Sequence, residues 1–185
     1  MKLNLLKLLS LSILLFAGLT FTSCDPDPCK DVVCDADHGI CLDGTCDCDP
    51  GYSGSDCAIL LRSAYIGTYN AVEVCSSLPN FDDNYIADVK TSAEGAQYII
   101  ITNLYNHFSA VTSAYQPTDT QVKAIVSDSG IEIPETSWTA SGLEDYRVSG
   151  TGSVLTGTSF SINFTLTDVT DPSNADECAV TYTLQ

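Results

Sequence analysis

The chain has 185 residues, enough for one ordinary domain with a small module attached, and sets 24 Asp and Glu against 7 Lys and Arg for a formal net charge of −17. A chain this acidic is repelled by phosphate backbones, which excludes nucleic acid as a partner class. Nine cysteines in so short a chain imply a disulfide framework in an oxidising compartment, or metal and redox chemistry in a reducing one. The N-terminus decides between these.

Met1–Lys7 carries Lys2 and Lys7, and the apolar run Leu8–Leu19 follows it. A positive segment ahead of an apolar one is the pattern of a secretory signal. The run is shorter than the about 20 apolar residues a transmembrane helix needs. It ends at Phe21-Thr22-Ser23-Cys24. Small residues just before a cysteine resemble the lipobox of bacterial lipoproteins, although Phe21 stands where Leu is commoner. The resemblance implies that residues 1–23 are a signal peptide and that Cys24 becomes the acylated N-terminus. The other reading is an ordinary cleaved signal that leaves Cys24 as a disulfide partner. Without the leader the chain keeps 5 basic and 24 acidic residues, a net of −19. Residues 24–28 form an acidic tether. Asp25-Pro26-Asp27-Pro28 resembles the export tag of Bacteroidetes surface lipoproteins, and is otherwise a short stretch stiffened by two prolines. The expected location is therefore the outer membrane, facing the cell exterior, held there by several acyl chains because one alone anchors marginally.

Residues 29–57 read Cys29-KDVV-Cys34-DADHGI-Cys41-LDGT-Cys46-D-Cys48-DPGYSGSD-Cys57, with gaps of 4, 6, 4, 1 and 8 residues. The spacing resembles a compact, tenascin-like EGF module, most specifically in Cys46-x-Cys48 followed by Pro50-Gly51-Tyr52-x-Gly54-x-x-Cys57. The glycines allow tight turns, and Tyr52 offers one large apolar face. Val32, Val33, Ile40 and Leu42 are the few other apolar residues. So small a core cannot offset chain entropy, and the cross-links must, at about 2–4 kcal/mol each. Six cysteines allow fifteen pairings. The resemblance implies one of them: Cys29–Cys41, Cys34–Cys46 and Cys48–Cys57. Some EGF modules bind calcium, and Asp25 and Asp27 match part of that ligand set. However, Pro28 replaces a ligand, and the Cys41–Cys46 gap leaves no room for the second group, so no metal is expected. His38 reads as an exposed loop residue.

From Ile59 the cysteines thin out and Thr, Ser, Val, Ile and Tyr dominate, with turn residues at short intervals. Eight strands are predicted: Tyr65–Cys75, Tyr85–Ser92, Gln97–Asn103, Gln121–Ser127, Ile131–Trp138, Asp145–Leu155, Ser159–Asp168 and Glu177–Leu184. Period two is clearest where Phe160, Ile162, Phe164 and Leu166 share one face, and again through Cys178, Val180, Tyr182 and Leu184. Ser127-Asp128-Ser129-Gly130 and Thr156-Gly157-Thr158 are expected hairpin turns. Asn106–Pro117 is less periodic and reads as a short helix or a long loop. No amphipathic helix of crossover length appears, so the sheet should be antiparallel. The fold class is mainly β: a disulfide-rich EGF-like module, then an antiparallel, roughly eight-stranded up-and-down barrel over residues 59–185.

In such a barrel the first and last strands are neighbours, which sets Cys75 beside Cys178 for one seam-closing disulfide. An immunoglobulin-like sandwich is the rival, but 102 residues between these cysteines exceed the usual inter-sheet spacing. Gly67-Thr68-Tyr69 resembles the Gly-x-Trp/Tyr signature that opens lipocalin-like barrels. That resemblance implies a small apolar ligand in the barrel mouth, lined by Tyr69, Trp138, Phe160, Phe164 and Tyr182. The other reading is that these aromatics simply fill the interior.

Catalytic constellations are missing. His107 is the one histidine outside the EGF-like module, and neither a Gly-x-Ser-x-Gly elbow nor a His-Glu-x-x-His helix occurs. Gly150-Thr151-Gly152 starts like a dinucleotide loop, but Leu155 stands at the third glycine and no helix follows, so it reads as a strand bend. Asp168, Asp171, Asp176 and Glu177 fit no calcium loop and read as a solvated turn. The expectation is a lipid-anchored, non-catalytic binding or adhesion module without cofactor, the EGF-like unit acting as a rigid spacer. Its partner is a protein, a glycan or a small apolar ligand, the last belonging to the alternative of a lipocalin-like carrier.

Overall fold

The computed structural model describes residues 27–77, 83–105, 121–139 and 145–185, without the side chains of Asp83, Trp138, Thr139, Asp145 and Leu155. The leader, Cys24 and the irregular Asn106–Pro117 stretch lie outside the described residues.

The small module is two short ladders. β1 (Gly39–Leu42) pairs antiparallel with β2 (Thr45–Cys48), and β3 (Tyr52–Ser53) with β4 (Ile59–Leu60). The β1–β2 turn needs two successive residues at positive φ, and Asp43 (50°) and Gly44 (86°) supply them. Disulfides join Cys29 to Cys41, Cys34 to Cys46 and Cys48 to Cys57. Within residues 27–58 only Gly51, Ser53 and Cys57 are buried. The His38 ring stacks on Tyr52 with centroids 3.8 Å apart and is half-buried rather than exposed.

A module boundary drawn between Cys57 and Ile59 does not match the hydrogen bonding, because β4 pairs back onto β3. Continuity goes further. The Leu61 N–H donates to the Gly51 carbonyl at 2.9 Å, and the 3-10 turn Leu61–Ala64 follows directly. That turn is also why the first barrel strand starts at Gly67 rather than Tyr65. Arg62 Nη1 donates to the Ser92 (3.2 Å) and Gly95 (2.9 Å) carbonyls of the loop after β6. Gly51 has φ +94°, and a Cβ there would meet the Ala96–Gln97 backbone at 2.5 Å. Only glycine lets the module seat so closely on the barrel end.

The barrel strands are β5 (Gly67–Cys75), β6 (Asp83–Thr91), β7 (Tyr98–Thr102), β8 (Gln121–Ser127), β9 (Gly130–Thr139), β10 (Asp145–Thr156), β11 (Ser159–Asp168) and β12 (Ala175–Leu184). Each pairs antiparallel with its successor, and β12 pairs with β5 to close the barrel. Closure leaves no sheet edge to aggregate. Cys178 stands opposite Cys75 in that seam and is bonded to it. β12 begins two residues earlier than its alternation suggests, because Asp168 and Asn174 close a hydrogen-bonded turn that delivers Ala175 into register. Alternation sets the two faces as period two requires, as on β5, where Tyr69, Ala71, Glu73 and Cys75 point inward.

The two ends of the barrel differ. Residues 92–97, 128–129 and 157–158 make the connections at the end where the EGF-like module sits. Residues 76–82, 103–120, 140–144 and 169–174 connect the strands at the other. Among the described residues the module meets the end with the tighter connections.

Candidate functional site

Four of the five proposed cavity residues meet inside the barrel. Tyr69, Phe160, Phe164 and Tyr182 are at most 3% exposed. Phe160 stacks on Tyr182 with centroids 4.5 Å apart, and Tyr69 and Tyr65 meet Phe160 edge-on at 5.1 and 5.5 Å. Offset-stacked and T-shaped pairs are the favoured aromatic geometries, so the rings satisfy one another. Phe164 lies nearer the far end, edge-on to Tyr105 at 6.2 Å. Trp138 is in β9, but its side chain lies outside the described residues. A void of about 50 Å³ touches Tyr65, Tyr69 and Phe160. Drug-sized ligands occupy roughly 300 Å³ or more, so this gap does not hold one.

The interior also holds a group that sequence reasoning passed over. Glu73 is fully buried on the inner face of β5. Its Oε2 accepts the Tyr85 hydroxyl at 2.7 Å and the Tyr105 amide at 3.1 Å. Tyr105 has φ +64°, an unusual conformation for a residue with a Cβ, and its hydroxyl donates to Asp176 Oδ2 at 2.9 Å. Asp176 in turn accepts the Ser76 hydroxyl (2.9 Å), the Ser77 amide (2.8 Å) and the Ser77 hydroxyl (2.6 Å). One chain of hydrogen bonds therefore joins β5, β6, Tyr105 three residues beyond β7, and the start of β12 at the longer-loop end. The signal was present: Glu73 stands between Ala71 and Cys75 at inward parity, and an inward acid in a barrel strand must find donors.

Burial, first, and then the nearby Tyr182 and Glu73 push the Tyr85 hydroxyl well above its ordinary range. Tyr182, fully buried, is raised by burial and by the Glu73 charge, and among the described residues its hydroxyl has no hydrogen-bond partner of good geometry. Tyr105 is raised by burial and then by Asp176. These tyrosines stay protonated, and Tyr85 and Tyr105 donate to Glu73 and Asp176. For Asp176 burial pulls upward, but the Ser77, Ser76 and Tyr105 donors outweigh it and the net shift is downward.

Glu73, Cys75 and Cys178 bring three potential metal-ligating atoms within 4.8 Å of one another. Both sulfurs are committed to the disulfide and offer no thiolate, so the set does not fit an ion. The Ser76 and Ser77 hydroxyls donate directly to a carboxylate with no imidazole between them, an arrangement that holds loops together and does not activate a nucleophile. In the EGF-like module Asp27 Oδ1 accepts the Cys29 amide at 2.9 Å and so closes the turn that opens the module.

Residues 31–59 match the Teneurin-like EGF domain family, which covers the small module and not the barrel. No curated protein matches the chain. Solved structures resemble it, among them two that each have 10% identity and a TM-score of 0.43 over 68% of this chain. One is a redesigned beta barrel, covered over 95% of its length, and the other is EF1p2_mFAP2b bound to DFHBI, covered over 97%. The eight-stranded barrel rests on its own strand register, and with the EGF-like module it defines a mainly β chain of two parts.

Proposed function

We propose that this chain is a lipid-anchored, non-catalytic binding module displayed outside the outer membrane, engaging its partner with the outer surface of the barrel. The observation that carries the reading is the packed interior: among the described residues, Tyr69, Phe160 and Tyr182, placed to line a cavity, pack ring against ring instead. A carrier would need an open cavity of roughly 300 Å³ or more where these rings meet. A closed barrel with a filled core presents only its wall and its loops to a partner. The EGF-like module supports the same reading, because the Gly51 and Arg62 contacts make it a rigid pedestal under one end. Cys24 supplies the anchor in this reading, and the Asp25–Pro28 tether the outward export.

Two experiments test it. Cys24→Ser should move the protein from the membrane fraction to the soluble one, and a variant that stayed membrane-bound would remove the anchor. Titration of the Cys24→Ser chain with anilinonaphthalene sulfonate should give no blue-shifted emission. Saturable, enhanced emission would favour an apolar carrier instead.

A further inference from the structure

The outer wall of the barrel is not evenly convex. Between β9 and β10 the register shifts as Val148 pairs with Thr136 and Gly150 with Ile133, so Pro134 and Glu135 together oppose Ser149. Proline has no N–H for the ladder, which suits it to such a bulge, and a bulge bends its strand. Gly150 and Gly152 continue the bend: a Cβ at either would meet the β11 backbone at 2.6 or 2.5 Å. The bent wall encloses an outer groove of about 760 Å³ that crosses five strands. Register places Val74, Ala179, Asn163, Thr151 and Glu132 in one row along it. All five are on the solvent face.

The chemistry of the groove is uneven. Val74, Ala179 and Pro134 give it an apolar floor, while Glu132, Glu135 and Glu177 bring three exposed carboxylates to it. Arg147 reaches Glu135 at 3.6 Å, and among the described residues neither Glu132 nor Glu177 has an ion pair. We propose that this groove docks an extended, lysine- or arginine-rich segment of a partner protein. The inference rests on the reading of the chain as a surface binding module and names where, and with what chemistry, that binding occurs.

Charge selects this occupant over the others. The segments 78–82, 106–120 and 140–144 contain no Lys or Arg, so none brings a permanent positive charge to the groove. Beyond the leader the only basic residues are Lys30, Arg62, Lys90, Lys123 and Arg147. Lys90 and Lys123 are engaged by Asp88 and Glu94, and Arg62 is held at the junction. A second copy carries the same acidic excess and is repelled, as is an anionic membrane surface. A cationic strand gains complementarity with the carboxylates, a surface of apolar contact, and hydrogen bonds from Thr151 and Asn163.

The test is fluorescence anisotropy at low salt, using the Cys24→Ser chain and a labelled decapeptide alternating Lys and Thr. The triple variant Glu132→Gln, Glu135→Gln, Glu177→Gln should weaken binding at least about tenfold. A triple variant with the same charge change elsewhere, Asp31→Asn, Asp37→Asn, Asp128→Asn, should weaken it less than about threefold. These side chains are all exposed, and matching near-ultraviolet circular dichroism checks that the variants stay folded. Equal losses in the two triples, equal binding of a peptide with Glu in place of Lys, or no binding by the parent would each overturn the groove. Failure of the groove alone leaves the module reading standing, whereas a parent that ignored the peptide and bound anilinonaphthalene sulfonate would bring down both.

Discussion

The EGF-like module and the barrel solve the same entropic problem by opposite means. The module buries almost nothing: Val33, Ile40 and Leu42 are 83%, 67% and 55% exposed, and three disulfides hold it. The barrel buries a continuous core from Tyr65 to Tyr182 and carries one disulfide across its seam. A module near 30 residues cannot build a sufficient core, while a closed eight-stranded sheet has an interior that side chains fill. Covalent constraint should therefore decide the fate of the first and packing that of the second.

The largest effect should come from breaking the module's own cross-link. Cys34→Ser with Cys46→Ser should abolish amide-exchange protection across β1 and β2, while barrel amides keep theirs. Loss of protection in both would mean that the barrel depends on its pedestal. Next comes the barrel core: Phe160→Ala should cost about 3–5 kcal/mol in denaturant unfolding, because it opens a cavity at the centre of the aromatic stack. The comparison sharpens with Cys75→Ala and Cys178→Ala together, which should cost about 2–4 kcal/mol and leave the barrel folded. A barrel that failed to fold without this bridge would contradict the claim that packing holds it.

The smallest effect concerns the hydrogen-bond chain at the longer-loop end. Asp176 is held below its unfolded value. Its contribution is therefore present above the ordinary carboxylate range and disappears as pH falls through the folded value. Asp176→Asn should lower Tm modestly near neutrality, with the difference from the parent shrinking toward low pH. A constant offset at all pH values would assign the effect to packing instead.

Much of this architecture was legible in the residues. All eight predicted strands correspond to strands of the barrel, because inward and outward positions alternate so cleanly along Phe160–Leu166 and Cys178–Tyr182. Their ends shifted by one or two residues, at two places beside a local hydrogen-bonded turn: the 3-10 turn before Gly67 and the Asp168–Asn174 turn before Ala175. The state of the interior was not legible. Whether Tyr69, Phe160 and Tyr182 line a hole or fill it depends on ring volumes and tilts across the barrel, which period two does not encode. The outer groove was equally hidden. Gly150-Thr151-Gly152 could be read as a strand bend, but its pairing with the Pro134 bulge depends on register. Glu73 was readable by parity, but a lone acid between the inward Ala71 and Cys75 gives no sign of the Tyr85 and Tyr105 donors that register and a positive-φ turn bring to it.

The packed interior is the claim on which most depends, and native mass spectrometry of the Cys24→Ser chain, purified under oxidising conditions, tests it most directly. A filled barrel gives the mass of the chain alone, lowered by two hydrogens for each of the four disulfides. An added mass of a few hundred daltons that disappears on denaturation would show a ligand inside the barrel and contradict it.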